Sequence, residues 1–125
     1  MLLLIAFLTI PHCTTSSAPP AKPRVARVWH GQVLASRADE YEKYLYTDGV
    51  QKLRAIPGNL GVDLLRRNIG EREEFIVISY WPSEEAIKGW AGEDVTKTRL
   101  MPKDLEFLIE PELTVKHFTI AVREP

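Results

Sequence analysis

The sequence predicts an α+β domain of order β-α-β-β-α-β, the ferredoxin-like sandwich of an antiparallel sheet with its helices on one face. Three observations predict it. The run Phe75-Ile76-Val77-Ile78-Ser79-Tyr80-Trp81 is short, β-branched and aromatic, and apolar on both alternating faces, the pattern of a central strand. It turns directly into Pro82-Ser83-Glu84-Glu85, with Ser83 placed as an N-cap and the two acids where a helix dipole favours them. Upstream, the β-prone stretch Val25 to Leu34 meets Ser36-Arg37-Ala38-Asp39, a hydroxyl and an acid at capping-box spacing.

Taken in order, the chain opens on Leu2 to Ile10, a nine-residue apolar run. It is shorter than the ~20 residues that span a bilayer and suits a signal-peptide core, although no Lys or Arg precedes it. Cys13 follows, then Thr14 to Pro23 with the composition of a flexible or polyproline-like tether. Residues 1–23 read as a signal or lipoprotein-like leader that exports or membrane-tethers the domain, or else as a mis-assigned start upstream of a cytoplasmic one. The folded domain is expected at residues 24–125. After the first strand, Ala38, Tyr41, Leu45, Val50 and Leu53 keep a helical stripe that Thr47-Asp48-Gly49 should bend or break, and Ile56-Pro57-Gly58-Asn59 ends it. Gly61 to Arg67 and Glu74 to Trp81 are strands joined at Asn68-Ile69-Gly70-Glu71. A second helix is expected from Glu84 to Trp90, a helical segment with Val95 and Leu100, and a last strand from Thr114 to Val122.

Composition narrows the function. The 125 residues allow one domain, and 16 basic against 17 acidic residues, interspersed, argue against a nucleic-acid binder. A single cysteine excludes an intrachain disulfide, and no Cys/His cluster has metal-ligand spacing. No phosphate loop or dinucleotide fingerprint is present, so neither a metal nor a cofactor is called for. Because both faces of the central strand are apolar, the sheet face without helices needs a cover, and a homodimer is the expected one.

The candidate site residues lie on strands one, three and four. His117 and His30 are the candidate acid or base, since histidine titrates near working pH, with a packed structural histidine as the alternative. Trp29 and Trp81 are candidate walls for an aromatic ligand, or core aromatics. Arg27, if it faces inward, needs an anionic partner from a second subunit or from a ligand. Alternation of Ala26 with Val28, and of Phe118 with Ile120 and Val122, sends these to the helix layer, and Arg27, Trp29 and His117 to a cavity on the open face. A slip of one residue would reverse strand one, so Trp29 and His30 remain alternatives for that cavity.

The strand ending on Trp81 and running into Ser83-Glu84-Glu85-Ala86 resembles the antibiotic biosynthesis monooxygenase family. Ala26-Arg27-Val28-Trp29, Gly92-Glu93-Asp94 and His117-Phe118 extend the likeness over most of the domain from Val25 onward. The resemblance implies a dimeric α/β barrel. It also implies oxidation of electron-rich phenolic or anthrone-type rings by molecular oxygen without metal or flavin, with a non-catalytic barrel binding a small apolar ligand as the alternative. The chain departs from the family at particular positions. Val77 stands where those monooxygenases can place a pocket asparagine, and Ile87 where a tyrosine can stand. The haem-degrading branch uses a Trp in the second helix and a ligating His ten residues later; Trp90 matches the first and Leu100 occupies the second place.

Overall fold

The fold is built around a four-stranded antiparallel sheet of order β2-β3-β1-β4, with β1 at Val25–Leu34, β2 at Gly61–Ile69, β3 at Arg72–Trp81 and β4 at Lys116–Thr119. The computed structural model describes residues 5–6, 8–11 and 21–125. Cys13 and the tether from Thr14 to Pro20 lie outside the described residues, among which no helix is long and apolar enough to cross a membrane.

β1 pairs with β3 without a bulge, from Val25 opposite Trp81 to Leu34 opposite Arg72, and this register sets the faces. Arg27, Trp29, Gly31 and Val33 lie on the same side as Phe75, Val77, Ser79 and Trp81, and the helices cover that side. Ala26, Val28, His30 and Gln32 lie with Ile76, Ile78 and Tyr80 on the open side. β4 follows the same parity: His117 is opposite Arg27, and Phe118, 53% exposed, is opposite Ala26 on the open face. This corrects the expected assignment, which sent Ala26, Val28 and Phe118 to the helices. Ala26 and Val28 serve the open face, while the covered face holds an arginine and a glycine beside Val25, Trp29 and Val33.

The first helical segment starts with one tight turn at Ala35–Arg37 and continues as α1, Ala38–Tyr44. Ser36 falls inside that turn and caps nothing. Thr47-Asp48-Gly49 does not break the segment. It widens into a π-helical stretch, Leu45–Val50, before α2, Gln51–Arg54, and such widened turns recur at functional sites. Gly49 sits there at close quarters, where a Cβ would lie 3.1 Å from Leu45 Cδ1 and 3.3 Å from Met101 Cε. Ser83 does act at the next helix start, accepting the Ala86 N–H at 3.3 Å. One turn at Glu85–Ile87 leads into α3, Lys88–Ala91.

The segment from Val95 to Leu100 is irregular instead of helical, with a turn at Val95-Thr96 and an isolated bridge between Lys97 and Thr114. It is followed by a single turn, α4, Asp104–Phe107. Tyr41, Leu45, Leu53, Phe75, Trp81, Ile87 and Phe107 form the core between helices and sheet. Tyr41 meets Phe75 edge-on at 5.3 Å between ring centroids, the favoured geometry for aromatic pairs.

Candidate functional site

Between the sheet and the helices lies a cavity, on the covered side. Arg27, Trp29, Val77 and Ser79 form its floor; Leu45, Gly49 and Leu53 come from the first helical segment, Trp90 from α3, and Arg99, Met101 and Asp104 from the chain beyond. Room for water centres is about 40 Å³, enough for about three waters at ~10–15 Å³ each. Arg99 stacks over the Trp90 ring at 4.3 Å and donates to the Trp90 carbonyl at 3.0 Å, an arrangement built from an aromatic face and a guanidinium.

Arg27 is the unusual member. Its residue is 3% exposed, and among the described residues no carboxylate stands within ion-pair distance. Nη1 donates to the Val95 carbonyl and to His117 Nε2, the latter at 3.0 Å, and Nη2 donates to the Lys97 carbonyl at 2.9 Å. Neutral acceptors therefore carry the guanidinium. Burial lowers its pKa to about 10, which still leaves it charged at neutral pH.

Since a guanidinium only donates, His117 Nε2 must be the acceptor of that bond and the imidazole is held neutral with its proton on Nδ1. Its pKa is lowered by burial first and by the neighbouring Arg27 charge second, with Glu84 opposing. His117 thus supports Arg27 from behind. His30 projects from the opposite face of the sheet, between Glu74 at 2.8 Å and Glu112 at 3.1 Å. Trp29 lines the cavity, its ring lying over Gly31 so closely that a Cβ there would come 2.5 Å from Trp29 Cη2. Trp81 is fully buried in the core and reaches the cavity only through Ser79, whose Oγ accepts the indole N–H at 2.8 Å.

The structure therefore joins Arg27, Trp29 and His117, and sets His30 and Trp81 apart from the cavity. It adds Trp90, which ends the expected second helix, and Asp104, which nothing in the sequence singles out. Asp104 is 2% exposed; Oδ2 accepts the Met101 N–H at 2.7 Å and Oδ1 the Tyr41 hydroxyl at 3.0 Å. Both bonds favour the carboxylate, but burial outweighs them and holds the carboxyl above the ordinary range. The same burial, with the Asp104 charge beside it, raises Tyr41 and keeps its hydroxyl a donor.

A four-stranded antiparallel sheet with its helices on one face is the α+β ferredoxin-like fold. The family model for antibiotic biosynthesis monooxygenase matches residues 27–98, more than half of the chain. This chain belongs to that family. Among solved structures, an antibiotic biosynthesis monooxygenase from Bacillus cereus, itself named only provisionally, superposes with TM-score 0.58 at 16% identity, covering 83% of this chain and 97% of that one. The haem degrader MhuD of Mycobacterium tuberculosis, with two haems bound in its active site, gives TM-score 0.56 at 24% identity over 81% and 99%. At these identities the likeness is one of fold. No curated protein matches the chain in sequence.

A haem does not fit the residues present here. Its iron takes an axial side-chain ligand such as imidazole, thiolate or phenolate, and among the described residues the cavity walls offer no His, Cys or Tyr. Leu100 stands ten residues after Trp90, and His117 gives its Nε2 lone pair to Arg27.

Proposed function

We propose that this chain is a monooxygenase that binds a small electron-rich aromatic compound of quinol or anthrone type, as its anion, and oxidises it with molecular oxygen without metal or flavin. The observation that carries the reading is Arg27, a buried cation with no carboxylate partner among the described residues, on the floor of a cavity walled by Trp29 and Trp90. An ionised phenol or enol supplies the missing negative charge through charge-assisted hydrogen bonds. Ionisation also drives electron density into the ring carbon that meets dioxygen. In net terms the CH₂ group of an anthrone and O₂ become a carbonyl and water, and a quinol with O₂ becomes a hydroxyquinone and water, its ring C–H becoming C–OH and its two O–H groups carbonyls; one oxygen atom stays in the product. Admitting a ring to this narrow cavity requires the flexible side chains of Met101 and Arg99 to move aside.

Arg27 and Trp29 are substrate-binding in this reading, and His117 is a positioning residue that acts through Arg27. The open sheet face, with Ile76, Ile78 and Phe118, supports a homodimer in which two such faces cover each other. A second reading, a barrel that binds the same ligands without turnover, is favoured by Val77 in the cavity wall and Ile87 in the core, where the monooxygenases can carry polar groups.

Oxygen uptake with a panel of hydroquinones and anthrones tests the proposal. Turnover is expected, with kcat/KM lowered roughly 10- to 100-fold in Arg27→Gln, the loss of a charged hydrogen bond worth ~1.5–3 kcal/mol. Binding without uptake leaves the second reading, and absence of both breaks the assignment of the cavity.

A further inference from the structure

We infer that Asp104 is the proton acceptor of this cavity, taking the hydroxyl proton of the bound phenol or enol while Arg27 receives the oxyanion. The inference rests on the proposed function and names the group which that reading lacks. A base must have a free lone pair facing the substrate. Among the described residues the other polar groups of the cavity do not meet this need: Arg27 and Arg99 only donate, and Ser79 Oγ is neither basic nor free of its bond from Trp81. His117, behind Arg27, has its accepting nitrogen occupied. Asp104 lines the cavity with about four lone-pair sites, of which Met101 N–H and Tyr41 O–H engage two.

The environment of Asp104 suits the task. Tyr41 and Tyr44 are the titratable groups packed on it from α1, with Asp48 and Lys52 behind Tyr44, and Lys103 is its chain neighbour. Arg27 and Arg99 share the cavity without forming an ion pair to it. Burial therefore raises the proton affinity of the carboxylate, strengthening it as a base. The step balances simply: the substrate O–H bond breaks, an O–H bond forms on Asp104, and the electron pair stays on the substrate oxygen facing Arg27. The plain alternative is that Asp104 only anchors the turn at Met101 to α1. Asp104→Asn retains that anchor, because the amide oxygen still accepts from Met101 N–H and its NH₂ donates to the Tyr41 oxygen.

The test uses 4-nitrophenol, whose ionised form has its own visible absorbance, added to the full chain below the pKa of the free phenol. The parent is expected to bind it as the phenolate without releasing a proton to the buffer. Asp104→Asn is expected to bind it as the neutral phenol, with at least a tenfold smaller ionised fraction. Equal ionisation in both proteins overturns the role of Asp104 and leaves the cavity reading standing; no binding in the parent overturns both. Should Asp104→Asn not fold, Tyr41→Phe decides. Losing a donor to the carboxylate raises its proton affinity, so the ionised fraction persists to lower pH, and an unchanged profile counts against the proposal.

Discussion

The open face of the sheet and the cavity on its covered face handle charge in opposite ways, while elsewhere on the covered face Arg66 and the buried Glu73 pair at 2.9 Å. On the open face every charged or hydrogen-bonding group named here has a neighbour of complementary kind: His30 lies between Glu74 and Glu112, Arg67 meets Glu74 at 2.7 Å, and the Tyr80 hydroxyl donates to Asp63 at 2.9 Å. On the covered face a buried arginine and a buried aspartate line one cavity and do not pair. Neutralised charge among exposed aliphatics is compatible with an interface between protein surfaces. Desolvated charge without an opposite charge beside it costs stability, and such groups cluster at functional sites. Under the proposed function assembly falls to one face and chemistry to the other, although the two sets of residues alternate along the same strands.

The strongest test of that division removes a covered-face anchor. Trp81→Ala should cost about 3–5 kcal/mol, as for other buried Trp truncations, and should be read as a lower midpoint in urea unfolding. A loss below about 1 kcal/mol would mean that the covered face is not the core.

Next in size is the open face. Ile78→Lys puts a charge beside Val28 and Ile76, with Asp63 opposite it on β2, forfeiting roughly 1.5–3 kcal/mol of apolar burial per chain if that face is shared. Sedimentation at micromolar concentration should show a dimer for the parent and a monomer for the variant, with near-ultraviolet circular dichroism unchanged. A monomeric parent would break the assignment of this face to assembly.

The smallest effect sharpens the role of His117. Its folded pKa is lowered, so its contribution to stability is present above the ordinary histidine value of about 6.5 and is lost as pH falls through the folded value. Below it, a protonated ring opposes Arg27 and can no longer accept its hydrogen bond. His117→Gln keeps an acceptor and removes the titration. It should therefore flatten the fall in melting temperature between neutral and mildly acidic pH, and an unaltered fall would assign the titration elsewhere.

The sequence by itself determined the element order, the bounds of β1, the hairpin of β2 and β3 and the family, because these depend on local signals. β-branched alternation, a glycine turn and the Ser83 cap act within a few residues. It also brought Arg27, Trp29 and His117 into view as residue types. Only the tertiary structure decided which way they point. Along β1 both alternating sets are mixed, Ala26 and Val28 against Trp29 and Val33, so hydrophobicity cannot rank the faces, and the parity comes from pairing with β3. The same holds for Asp104. It reads along the chain as a hydrated acid after Pro102-Lys103, and becomes a buried, raised carboxyl only because Tyr41, more than sixty residues earlier, and the turn at Met101 close around it. Burial by distant segments is a property of packing, and nothing local announces it.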